Sequence, residues 1–151
     1  MKKFLVVVLA VAFLAMASVP LYAGTLRRTI IDSVTLDDDP TAVTSSVVNV
    51  EQADSVGFFL DYDETEVGLS ISLAVTIEIS YDGTTWIAGS FFDLAGGPAT
   101  FVTTETLTSD GTYFFWLHAD SNISRVRVVA TATNTDADDI AVIDCFVVVN
   151  Q

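Results

Sequence analysis

Asp61-Tyr62-Asp63-Glu64-Thr65-Glu66 packs four carboxylates into six residues between two apolar runs. Calcium takes about six to eight oxygen ligands, and acidic loops at one end of a β-sandwich can converge to supply them. Asp61, Asp63, Glu64 and Glu66 are therefore the candidate metal ligands, with Asp37–Asp39 and Asp136–Asp139 as similar acidic loops. None of these matches the helical calcium-loop spacing, which needs an internal glycine and a terminal glutamate. The competing reading is plain: solvated loop tips that carry charge. A glycosidase needs two carboxylates roughly 5–10 Å apart across a sugar bond, and nothing in the spacing selects a pair.

The second chemical candidate is Ser80-Tyr81-Asp82-Gly83-Thr84-Thr85-Trp86. An Asp-Gly turn brings Tyr81 and Trp86 near each other across strands. An exposed Trp86, with Tyr81 beside it, would form a ligand-binding platform for a sugar ring; a buried one would close the end of the core. The segment resembles the Asp-box hairpin of sialidases and related propellers, Ser-x-Asp-x-Gly-x-Thr-Trp, but is one residue short between Asp82 and Gly83. It also occurs once, whereas a propeller would repeat it.

Nucleophilic catalysis has little to draw on. His118 is the single histidine, and no Gly-x-Ser-x-Gly elbow supplies a nucleophile beside it. Cys145 is the single cysteine, set between Asp144 and Phe146 in an apolar run. Low thiol pKa wants nearby cations, so this one reads as a buried structural residue. No catalytic residue is assigned, and the chain reads as a non-enzyme.

The elements that must position these groups are strands. From Val67 to Tyr81 every odd position is apolar or aromatic, and every even position is small or polar. That is the period of two of a strand with one buried face. Fifteen residues at ~3.3 Å each would span about 50 Å, so a bend near Ser70-Ser72 is expected. Val56, Phe58, Leu60 and Tyr62 share a face, as do Tyr113, Phe115 and Leu117. Phe114 and Trp116 lie on the opposite side, which predicts a central strand covered on both sides. Further strands are expected near 29–36, 44–50, 86–92, 100–108, 125–132 and 140–149. Turns fall at Asp82-Gly83 and Asp110-Gly111. Eight or nine strands with no helical periodicity predict an all-β antiparallel sandwich, jelly-roll or immunoglobulin-like. An outer-membrane barrel would alternate lipid-facing and lumen-facing residues. The two-sided apolar stretches at 114–116 and 146–149 argue against it.

Residues 1–23 set the compartment. Lys2-Lys3, the apolar run Phe4–Ala17 and the small-residue end at Ala23 have the order of a secretory signal peptide. The run is shorter than the ~20 residues of a membrane-spanning helix. Export to the periplasm, cell surface or medium is expected, leaving a single domain of residues 24–151. With one cysteine there is no internal disulfide framework. Four arginines then face twenty carboxylates, a net charge of −16. Such a surface repels phosphate backbones and anionic lipids, which disfavours nucleic-acid binding and membrane insertion of the mature chain.

The order of Ser80–Trp86, Asp110-Gly111-Thr112-Tyr113-Phe114-Phe115, Ser124-Arg125-Val126-Arg127-Val128-Val129-Ala130 and a closing valine-rich strand resembles small β-sandwich domains of tailed-phage virion accessory and decoration proteins. The resemblance implies a surface-displayed structural role with no catalytic residues. The signal peptide departs from that pattern. Together these readings predict an exported structural or adhesive module, self-associating or bound to a surface polymer. Exposed edges at 140–149 and before Asp37 would be the contact points. The alternative is a carbohydrate-binding module, calcium-stabilised through the acidic loops.

Overall fold

The computed structural model describes residues 24–68, 70–93, 100–118 and 122–150; the leader expected at 1–23 lies outside them. The described residues contain no helix, and so none long and apolar enough to cross a membrane. Twelve β-segments follow one another: β1 (Thr25–Leu36), β2 (Thr41–Thr44), β3 (Val48–Asn49), β4 (Ser55–Thr65), β5 (Ser72–Ser80), β6 (Ile87–Ala88), β7 (Phe91–Asp93), β8 (Thr100–Val102), β9 (Glu105–Leu107), β10 (Gly111–His118), β11 (Arg125–Thr133) and β12 (Ile140–Asn150). They form two antiparallel sheets, as the alternation predicts. The first runs β1-β12-β4-β10-β7-β8, and the second runs β2-β11-β5-β6 with β3 on β11 and β9 on β5.

Strict alternation decides what meets between the sheets. From the first sheet come Val56, Phe58, Leu60 and Tyr62 of β4, Phe115 and Leu117 of β10, and the odd-numbered residues 141–149 of β12. From the second come the odd residues 73–79 of β5 and the even residues 126–132 of β11. Phe91 and Phe115 pack edge to face with centroids 5.2 Å apart. The core is contiguous and mainly aliphatic, with Phe58, Phe91, Phe115 and Tyr62 as its aromatic members.

Three expectations change. The long alternation from Val67 begins as a strand only at Ser72, on the far side of the expected bend. Val67 is 74% exposed, because carboxylates of Glu66 and Asp139 hold the backbone of residues 67, 68 and 71 in a loop instead. The valine-rich segment 140–149 is no edge: β12 lies between β1 and β4, paired on both sides. The stretch around Phe114 and Trp116 is central in its sheet, but the described residues cover it on one side only. Its outer side carries a half-buried Phe114 and a Trp116 that is 38% exposed.

The strand before Asp37 does lie at an edge, but an interrupted one. Pairing of β1 with β12 shifts register between Thr29 and Ile31 and again between Ile31 and Val34. Ser33, at φ 44°, turns its amide onto Asp144 Oδ1 at 2.8 Å, and its hydroxyl reaches both carboxylate oxygens. Irregularities of this kind blunt an edge against strand addition.

Deleting residues 140–151 should therefore abolish the fold rather than trim it. The expected result is an insoluble chain, or one without cooperative urea unfolding. A soluble, cooperatively unfolding truncation would contradict the central place of β12.

Candidate functional site

The four carboxylates of 61–66 divide by parity. Asp61 and Asp63 point out of the first sheet, whereas Tyr62 faces the core and Glu64 follows on its side. Asp61 accepts a hydrogen bond from the Thr112 hydroxyl on the neighbouring strand. The buried Tyr62 hydroxyl donates to Glu64. Burial first, and then the bond to Glu64, push the Tyr62 phenol well above its ordinary value. Glu66 accepts the Ile71 amide at 2.8 Å. These four side chains do not gather on one point, and no cluster of three or more metal-ligand side chains occurs among the described residues.

The acidic loops do meet, with carboxylates binding backbone amides rather than facing one another. Asp139 takes the amides of Val67 and Gly68. Asp136 Oδ1 takes those of Asp138 and Asp139 at 2.8 and 2.9 Å. Asn134 donates its amide to Asp39 and its side chain to the Ser70 carbonyl. Short polar side chains here satisfy the orphan N–H groups of loops that no sheet can reach.

The Ser80–Trp86 hairpin is built the same way. Asp82 Oδ1 accepts the Thr84 and Thr85 amides at 2.8 and 2.7 Å, and Oδ2 accepts the Thr85 hydroxyl. Gly83, at φ 77°, donates to Ser80 Oγ. The Thr85 and Thr84 amides, in that order, hold the Asp82 carboxyl well below the usual carboxylate range. Tyr81 is half exposed. Trp86 is half-buried, with the Arg127 guanidinium 4.2 Å from its ring centroid and bound in turn to Glu78 Oε2 at 2.6 Å. One partner of the Trp86 ring is thus a cation of its own chain.

His118 is exposed at the end of β10, opposite Ser55 of β4. Cys145 is 1% exposed, and burial, with Asp61 and Asp144 nearby, pushes its thiol up to about 12. It faces the core, away from any partner's thiol.

The most distinctive surface is the outer face of the first sheet, which the sequence reading took to be covered. Cross-strand pairing sorts it into rows. Thr25, Asn150, Ser55 and His118 form a row of hydrogen-bonding groups. Next comes Arg27, Val148, Gly57, Trp116, Phe92 and Phe101, running across all six strands. Then Thr29, Phe146, Phe59 and Phe114 stand side by side. Beyond them Asp144, Asp61 and Thr112 make an acidic row. The rings touch: Phe59 stacks on Phe146 at 4.7 Å and meets Phe114 at 4.5 Å, while Phe92 meets Phe101 at 3.7 Å and Trp116 at 5.9 Å. Arg27 lies 4.2 Å over Phe146. The Phe114 ring packs close over Gly57, where a Cβ would meet it at 3.0 Å, and beside it a pocket of about 180 Å³ opens between Gly57, Phe59, Phe114, Trp116, Val148 and Asn150. The outer face of the second sheet presents Thr76, Glu78, Arg127 and Thr131 with Ala74 and Val129 among them, and Trp86 lies there against the Arg127 guanidinium.

No protein-family model matches this chain, and no curated protein does. Among solved structures it is similar to the SPBc2 prophage-derived protein YomS, with a TM-score of 0.52 and 12% identity over 86% of this chain and 97% of that one. That likeness shows a shared fold, and it meets the expected phage resemblance at that level only. A looser similarity, TM-score 0.40 and 13% identity over 85% of this chain and 89% of the other, is to a protein of Bacillus endospore appendages described as disulfide-linked pili.

Asp82 gives a test with a definite sign. Its folded pKa is depressed, so its contribution is present above the unfolded value of ~3.9 and lost as pH falls towards the folded one. Asp82→Asn should lower the urea midpoint at pH 7, and the gap from the parent should close progressively below about pH 4. A gap that stays constant down to pH 2 would contradict the turn's electrostatics.

Proposed function

We propose that this chain is an exported, non-catalytic structural or adhesive surface module that works by contact through the outer face of its first sheet. One observation carries the reading: of two outer faces, one mixes polar and small apolar residues with the single ring of Trp86, and the other bears six aromatic rings in contact rows. Phe101 is 64% exposed there and Trp116 more than a third. An apolar patch rimmed by polar groups marks an interaction surface rather than a leftover of folding.

Other routes to function have less support. Strand addition has β1 as its long edge, and that edge is bulged and tied to Asp144. Linkage through a disulfide would need the buried Cys145. The charge of −16 keeps copies apart in dilute salt and argues for a neutral partner or a crowded surface. Export follows from the leader-like residues 1–23.

Oxidative footprinting tests the reading without knowledge of the occupant. Trp116 and Phe101 should label readily in the purified protein and several-fold less in the exported protein on intact cells. Val67, exposed on a loop, serves as the reference. Equal labelling of Trp116 in both states would contradict a working role for this face.

A further inference from the structure

The row pattern on the first sheet narrows the occupant. The six rings span five strands, from β12 to β8, so four inter-strand spacings of about 4.8 Å make the aromatic strip roughly 19 Å long, and two rows about 7 Å apart make it roughly 14 Å wide. The product, roughly 250–300 Å², falls well short of the ~800 Å² that each partner of a stable protein complex buries. A second copy of this chain would also bring −16 against −16. The shape instead suits a linear chain laid across the strands. Nucleic acid would stack on such rings, but the acidic row of Asp61 and Asp144 alongside them repels any polyanion.

We propose that the aromatic strip binds a neutral, linear pyranose polysaccharide, with one sugar ring seated in the pocket beside Gly57. The proposal rests on the reading of this face as the working surface. A pyranose ring has an apolar C–H face that packs on aromatic side chains and a girdle of hydroxyls that needs donors and acceptors. The strip supplies the first through Trp116, Phe114 and Phe59. The flanking rows supply the second: Asn150, Ser55 and His118 on one side, Asp61 and Thr112 on the other. Asn150 is already positioned, donating to Ser55 Oγ at 3.2 Å and accepting from Thr25 Oγ1 at 3.3 Å. The pocket, at about 180 Å³, is below the ~300 Å³ of a drug-sized site and suits a single ring. This site is on the opposite sheet from Trp86.

Affinity electrophoresis of the protein expressed with its own leader would test this. The gels would contain hydroxyethylcellulose, xylan, galactomannan, a soluble β-glucan or glycol chitin, with alginate as the polyanionic control. Retardation by at least one neutral polymer and none by alginate is expected. Trp116→Ala and Phe101→Ala should each weaken that retardation about tenfold, as loss of a ring contact implies, and Trp86→Phe should leave it unchanged. Retained far-ultraviolet circular dichroism and urea midpoint would show that the variants fold. No retardation by any neutral polymer, equal retardation by alginate, or retardation indifferent to both ring deletions would overturn the proposal. If the first of these occurs while Trp116 is still protected on cells, the face is covered by protein and the broader reading stands. If Trp116 is unprotected as well, both fall.

Discussion

A strand shows its side chains to two sides, and this protein has only one interface between sheets to offer them. The middle stretches of β4, β10 and β12 are apolar on both sides, yet the second sheet covers only one. Phe58, Phe115 and Val147 go inward to the core, while Phe59, Phe114, Trp116 and Phe146 are left on the outside. They shelter by leaning on each other across the strands, which leaves them half-buried rather than hidden. Everything distinctive about the molecule's surface follows from that arithmetic of faces.

The acids solve a different problem. With twenty carboxylates and a net charge of −14, their number invites thoughts of metal. Much of the carboxylate chemistry is instead spent on backbone amides. Asp82 closes a hairpin, Asp139 and Glu66 shape the loop before β5, Asp136 turns the chain into β12, and Asp144 holds the bulge of β1. Each replaces hydrogen bonds that an irregular segment cannot obtain from a sheet.

Much of the frame was legible because alternation is a strong signal over many residues. Leu73 to Ile79 alternate without exception and become a core strand, and the Asp82-Gly83 turn falls where Asp and Gly demand it. Segments β6 to β9 were blurred, since two or three residues show no period. The position of β12 was not readable: a valine-rich run looks alike at a sheet edge and between two neighbours. The split of Asp61 and Asp63 from Glu64 was available in principle, because Val56, Phe58, Leu60 and Tyr62 set the parity. The aromatic face was half seen. Phe114 and Trp116 showed an apolar second side, but sequence does not count layers, and only the topology reveals that nothing in the described structure lies over it.

The central claim, that this apolar side is surface and not core, is tested most directly by neighbours in sequence that point opposite ways. Unfolding free energies of Phe115→Ala and Trp116→Ala, measured by urea titration in parallel, separate the two. The account predicts a loss of about 3–5 kcal/mol for Phe115, whose side chain fills the core. For Trp116, which forfeits a single ring contact, it predicts about 1 kcal/mol. Comparable losses at both positions would mean that the outer face is packed as a second core, and the account would fail.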